Sequence, residues 1–354
     1  MKKALVLSLM LMVSCGLAQA QIGVGGMPGG TTSCTDLQLK TNVPCPDSTL
    51  AQFEGTLVVQ RLYGASDFKG LDELFENWSR GTDRFPDGRW KLAFYVDGLS
   101  RQFEIWKTWG EDQKKIKAWQ AKSPDSFAAK YIEAVYWRTY AWAARGSGYA
   151  NTVAPEGWAL FRERIGFAER ILEELKPRAE KYPAWYSTAI FNKLDAGDSA
   201  AATEIFKRGQ ALFPDYHSIY FAMARAFEPR WGGSAESFDK FAREAAKLAK
   251  SSEAEGMYVR LFWTVDFPRG VPFDPKAGEV PEWATLKKGI EKLTQMYPSS
   301  THNMNHFASL ACRANDKALY LSLRTKLGNL ADAESFKGAT LEACDLRFGF
   351  SRKS

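Results

Sequence analysis

The chain carries only three histidines, His217, His302 and His306. His302 and His306 stand four apart in the run His-Asn-Met-Asn-His, a spacing that puts both rings on one face of a helix. Zinc peptidases use that spacing, but they need a Glu beside the first His as general base, and Asn303 stands there instead. Thr301 marks a helix start, where polar side chains are expected anyway. The pair is therefore read as solvated or core-edge histidines, and no metal is expected. Ser-x-x-Lys occurs at Ser66–Lys69 and at Ser237–Lys240. On a helix that spacing lets a Lys activate a Ser, but the Ser-Asp-Asn and Lys-Thr-Gly elements that complete such sites are missing.

Other chemistries find less support. Gly-x-Ser-x-Gly, the phosphate-cradling Gly-rich loops and a calcium loop are absent. Glu236-Ser237 has the form of the catalytic Glu of helical lytic transglycosylases, without the Gly/Met/Gln-rich segment that should follow. No catalytic residue and no cofactor is assigned.

Recognition residues stand out more clearly. Most of the 12 Trp and 13 Tyr lie at helical spacing and are read as interhelical packing. Trp231 differs, because it sits in the turn Pro229-Arg230-Trp231-Gly232-Gly233. Arg and Trp dominate binding hot spots, so Arg230 and Trp231 form a candidate recognition tip. Arg145 and Tyr149, around Gly146-Ser147-Gly148, form a second. The alternative reading folds Trp231 back as a plug, with Gly232-Gly233 merely permitting the turn.

Helices must position these groups. Asp47 or Ser48 caps a helix running to about Tyr63, where Gly64 stops it, and Leu71, Leu74, Phe75 and Trp78 follow at helical spacing. Long helices are expected over Trp90–Trp106, Phe127–Ala144 and Pro155–Leu175, with Gly146 as a C-cap. Glu111–Lys117 reads as a solvated helix face. No run alternates as a strand would.

Aromatic–Pro pairs recur at expected helix ends, at Phe85-Pro86, Tyr182-Pro183, Phe213-Pro214 and Tyr297-Pro298. The spacing between Pro183 and Pro214 suits one unit of a tetratricopeptide repeat of about 34 residues. That register puts Tyr186 and Phe206 on aromatic packing positions and Ala202 and Gly209 on small ones. Further helix pairs follow in His217–Phe227 with Ser234–Ala249, Glu253–Asp266 with Glu282–Tyr297, and Thr301–Ala314 with Asp316–Leu327. The inserts 228–233 and 267–281 both fall between the two helices of a pair, and are expected on one edge of the array. The expected fold is all-α, a right-handed solenoid of antiparallel helical hairpins over residues 47–348, with 349–354 as a tail.

The segments Ala143–Tyr149, Pro155–Trp158 and Pro229–Ser234, followed by a Phe/Ala-rich helix, resemble the bacterial family called domain of unknown function 4034. The likeness runs over roughly residues 65–345. It implies tetratricopeptide-type helical repeats and brings no activity, ligand or catalytic residue with it.

Residues 1–20 read as a signal peptide, with Lys2 and Lys3 before an apolar run and Ala18-Gln19-Ala20 as the cleavage site. Met12-Val13-Ser14-Cys15 is a competing loose lipobox, which makes Cys15 a lipid-anchored N-terminus. Either reading exports the protein, to the periplasm, the medium or the outer membrane. No segment reaches the roughly 20 apolar residues of a membrane span. Residues 21–46 form a Gly/Thr/Pro-rich flexible arm. Outside the cytoplasm, Cys34, Cys45, Cys312 and Cys344 suggest disulfides; proximity favours Cys34–Cys45 and Cys312–Cys344 over the two other pairings.

The composition, 45% hydrophobic and 25% charged over 354 residues, is that of a globular chain. A formal charge of +6 spread evenly argues against nucleic acid as partner. The function expected is a non-enzymatic scaffold or adaptor of the bacterial envelope that holds a protein, a peptide or an envelope component on its concave side. The alternatives are an envelope enzyme, for instance one acting on peptidoglycan, and a purely structural subunit of a complex.

Overall fold

Short polar residues stand before several helices and close their first turns. In the computed structural model, which describes residues 48–81, 83–249, 253–264 and 281–351, Asp67, Ser126, Asp198, Ser300, Asp316 and Thr340 each accept a hydrogen bond from the N–H three residues on. Pro155 and Pro183 occupy first helical positions, where a missing N–H costs nothing.

The described residues form α1 (Ser48–Gly64), α2 (Phe68–Arg80), α3 (Lys91–Trp106), α4 (Trp109–Lys122), α5 (Phe127–Arg145), α6 (Pro155–Leu175), α7 (Pro183–Asp195) and α8 (Ser199–Leu212). They continue with α9 (His217–Ala224), α10 (Ala235–Leu248), α11 (Ala254–Thr264), α12 (Trp283–Met296), α13 (Thr301–Arg313), α14 (Lys317–Leu327) and α15 (Leu341–Phe348). Among the described residues there is no strand, only an isolated antiparallel bridge between Arg84 and Trp90. The fold is all-α, as expected.

Alternate helices touch along the chain: α1 meets α3, α3 meets α5, α5 meets α7, α7 meets α9 and α9 meets α11. Each even-numbered helix from α4 to α14 packs on a sequence neighbour. Close approach needs small residues. A Cβ on Gly209 of α8 would stand 2.9 Å from the Tyr186 ring of α7, so only glycine lets these helices meet. Ala202 is fully buried and Phe206 nearly so on the same face.

One continuous apolar core runs from Val58 to Phe348. A satellite cluster of Ala141, Phe161 and Ile165, flanked by Trp142 and Trp158, sits where α5 meets α6. Cys312 and Cys344 form a disulfide between α13 and α15, with a Cα–Cα distance of 5.9 Å. Cys15, Cys34 and Cys45, the leader, the arm and most of the insert 267–281 lie outside the described residues. No described helix is long and apolar enough to cross a membrane.

The aromatic–Pro pairs do not share one role. Phe213 and Tyr297 are C-caps and Tyr182 is an N-cap. Phe85 belongs instead to the loop 83–90 between α2 and α3, where it is buried against Phe94 with ring centroids 4.6 Å apart.

Candidate functional site

The segments singled out by the sequence converge at the ends of α5, α7 and α9. Arg145, the last residue of α5, is 7% exposed. Its guanidinium donates to the carbonyls of Gly146 and Gly148, both at 3.0 Å, and so ties the Gly-Ser-Gly turn closed. It lies 5.0 Å from the rings of Trp142 and Trp158 and 5.9 Å from that of Trp231, a cage of three indoles around one cation. Arg230 donates to the Ser147 carbonyl at 2.7 Å and joins the two candidate turns directly. Tyr149 stands beside them, 74% exposed.

Trp231 is neither the bare tip nor the buried plug. It is 38% exposed and packs edge-on to Trp142, with centroids 5.8 Å apart. Arg225 and Arg230 lie 5.3 and 5.5 Å from its ring. It forms one wall of a cleft of about 620 Å³, whose other walls include Trp142, Trp158, Phe161 and Arg225.

Charge in the cleft is unbalanced. Asp195, at the C-terminus of α7, accepts from Arg138 at 2.7 Å, from Arg225 at 2.6 Å and from the Trp142 indole at 3.0 Å. One carboxylate thus serves two guanidiniums. Burial pulls Arg225 below the ordinary guanidinium value, and Asp195 opposes that pull. Arg145 has carbonyl acceptors and no carboxylate. The cleft is lined by three arginines, Arg145, Arg162 and Arg225, two carboxylates, Asp195 and Glu169, and the three indoles.

Two neighbouring recesses continue this cleft along α5. One of about 780 Å³ shares Trp142 with it. Another, of about 340 Å³, shares Ser100 and Arg138 with the middle one. The three line up from Trp231 through Trp142 and Arg138 to His217.

At the far end lies a buried polar hub with few cues in the sequence. The loop 83–90 enters between α1, α9, α11 and α13. Its Asp87 is fully buried and accepts from Gln52 of α1 and from Arg89 Nε at 2.7 Å. The Asp87 carbonyl accepts from Arg260 of α11 at 2.7 Å and from Asn303 of α13 at 3.2 Å. Gly88 holds φ +86°, and a Cβ there would stand 2.5 Å from Arg260. Glu253 takes Arg260 Nε at 3.1 Å, His217 Nε2 at 2.9 Å and the Tyr297 hydroxyl. Burial pushes the Glu253 carboxyl up, but His217, Arg260 and Tyr297 outweigh it and hold the group well below the usual range. Burial keeps His217 neutral, against the pull of Glu253. The one available signal was the Pro86-Asp87-Gly88 turn between Arg84 and Arg89.

The remaining sequence candidates have structural settings. His302 and His306 stand 4.5 Å apart by centroid, with Trp263 stacked on His306 at 4.9 Å. Among the described residues, no group of three or more His, Cys, Asp and Glu could hold a metal ion. Ser237 completes a capping box with Ser234 at the start of α10, and Glu236 lies in that first turn. Ser66 sits in the turn before α2 at φ 56°, and Lys69 pairs with Glu73.

Comparison with known families bears on the same region. Residues 56–165 match the family described as a domain of unknown function (DUF4034). The resemblance read from the sequence is shown over that stretch. It takes in the second half of α1, α2 to α5 and the first half of α6, with Arg145, Tyr149 and Trp158, whereas Arg230 and Trp231 lie beyond it. No curated protein and no solved structure matches the chain.

Proposed function

We propose that the protein is an exported binding scaffold, a tetratricopeptide-like right-handed array of helical hairpins. It holds an extended polypeptide segment bearing acidic and aromatic side chains in the trough along α5. The observation that carries this reading is the caging of Arg145 by Trp142, Trp158 and Trp231, with more guanidiniums than carboxylates around it. Such a surface suits carboxylates and rings, the side chains that Arg forks and indole faces hold best. The adjoining recesses give the bound segment room to run on toward Arg138.

The test is a photo-crosslinking residue at the exposed position 149 in the producing cells. A discrete polypeptide adduct, identified by mass spectrometry and lost on Trp158→Ala, is the expected result. A folded protein that yields no adduct from position 149 would overturn the reading.

A further inference from the structure

The innermost recess differs from the indole cleft in its chemistry. It measures about 340 Å³, the low end for a small-molecule site, and is walled by residues of α3, α5, α7, α9 and α11. Trp90, Phe94, Phe191 and Phe221 supply aromatic faces, while Ser100, Ser187, Thr188, Ser218 and Thr264 supply hydroxyls.

Two of its polar groups are buried without a hydrogen-bond partner: Arg89 Nη2 and His217 Nδ1. His217 itself is 3% exposed. Arg89 uses its Nε on Asp87, so one edge of its fork is left over. Arg138 likewise commits Nε to Asp195. Buried donors and acceptors are normally satisfied, so unmet ones on the wall of a recess point to an absent ligand. The carboxylate of Glu253 beside His217 Nε2 fixes the proton on that nitrogen, which leaves the Nδ1 lone pair as an acceptor. A neutral hydroxyl suits it, because an ammonium would meet the positive field of Arg84, Arg89 and Arg260.

We propose that the recess is a binding site for a small hydroxylated carboxylate of sugar-acid type. Arg89 and Arg138 take its carboxylate, His217 Nδ1 takes a ligand hydroxyl, and the aromatic walls cover the apolar face of its ring. This site borders the polypeptide trough at Ser100 and Arg138, but it does not rest on that reading: the titration below uses small ligands alone, and its failure leaves the crosslinking test at position 149 unaffected.

Calorimetric titration of the full chain with D-glucuronate, D-glucose and inorganic phosphate tests it. Binding of glucuronate at least about tenfold tighter than glucose is expected from a charge-assisted pair, with phosphate weaker still because it carries no ring. Ser100→Phe fills the recess from α3 and should abolish binding without lowering the melting temperature. Arg89→Lys keeps the charge but loses the fork, and should weaken binding about tenfold. Equal binding of glucose, phosphate binding as tight as glucuronate, no binding at all, or binding that survives Ser100→Phe would each overturn the proposal.

Discussion

Arg260 Nη2 donates to the backbone carbonyl of Asp87 at 2.7 Å, joining residues 173 apart in the chain. The contact clasps the loop before α3 to α11, beside the place where α1 meets α13. Arg260 is fully buried, and its charge is compensated chiefly by Glu253. Removing one member of such a pair strands the other. Arg260→Ala should therefore cost about 3–5 kcal/mol, while Arg260→Lys keeps the charge and should cost less. Urea unfolding of both variants checks this. Equal midpoints for wild type and Arg260→Ala would show that the clasp contributes nothing.

The three histidines should make the fold acid-sensitive. Burial lowers the pKa of His217 and His306 and takes His302 down to about 2, from an ordinary 6.5. Arg84 and Arg260 add to the effect at His217, and Arg89 and Arg260 at His302. All three imidazoles stay neutral in the fold. Below pH 6.5 the unfolded chain takes up protons that the fold excludes, so stability is full above that pH and falls as pH falls. Each group should cost about 1.4 kcal/mol per pH unit once well below 6.5. Glu253, with its own lowered pKa, adds a loss in the same direction below the ordinary carboxylate range. Melting temperature against pH tests the sign: a flat profile between pH 7.5 and 5 would contradict the buried neutral state.

The helices were legible in the sequence and the hub was not, for a physical reason. Pro155, Gly146, Ser126 and Asp198 act on their own helices, through caps and first turns, and local signals fix local structure. Tyr186 and Gly209 were readable because a helical hairpin repeats its own spacing. Asp87, His217, Glu253 and Arg260 gain meaning only when the chain brings three separated segments together. No periodicity records that meeting. The candidate site lies between these cases. Arg145 and Trp231 were each visible in Gly-rich turns, but Trp142 and Trp158 looked like helix packing, and the cage needs all four.

The packing of α8 on its neighbours has a direct consequence. Phe206→Ala opens a cavity beside Tyr220 and Phe241, and should cost roughly 3–5 kcal/mol at a site only 7% exposed. Ala202→Leu overpacks the same face and should cost roughly 1–3 kcal/mol. Thermal melts unchanged for both would show that α8 does not pack as described.

Reduction should loosen the C-terminal end. The Cys312–Cys344 bridge spans 32 residues, and a closed loop of that size is expected to contribute about 3–4 kcal/mol by restricting the unfolded chain. Arg324 holds Asp345 of α15 from α14 at 3.0 and 3.1 Å, so the helix keeps an anchor without the disulfide. The double substitution to Ser should lower the melting temperature yet leave a folded chain. Free thiols at both positions in non-reducing peptide mapping would refute the bridge itself.

Trp231 separates packing from recognition by degree. Its indole is more than half covered, by Trp142 on one side and the Arg225 and Arg145 guanidiniums on others. Truncation to Ala removes one wall of the cage but leaves Arg145 its two carbonyl acceptors and the rings of Trp142 and Trp158. The stability cost should then be modest, about 1–2 kcal/mol, well under that of a fully buried aromatic. Arg230→Ala breaks the bond to the Ser147 carbonyl and frees one turn from the other, at a cost of about 1 kcal/mol. If the cleft holds a partner, Trp231→Ala should weaken crosslinking at position 149 far more than it lowers the melting temperature. If Trp231 only packs, the two losses should track each other, and Trp231→Phe, which restores much of the covered area, should restore both together.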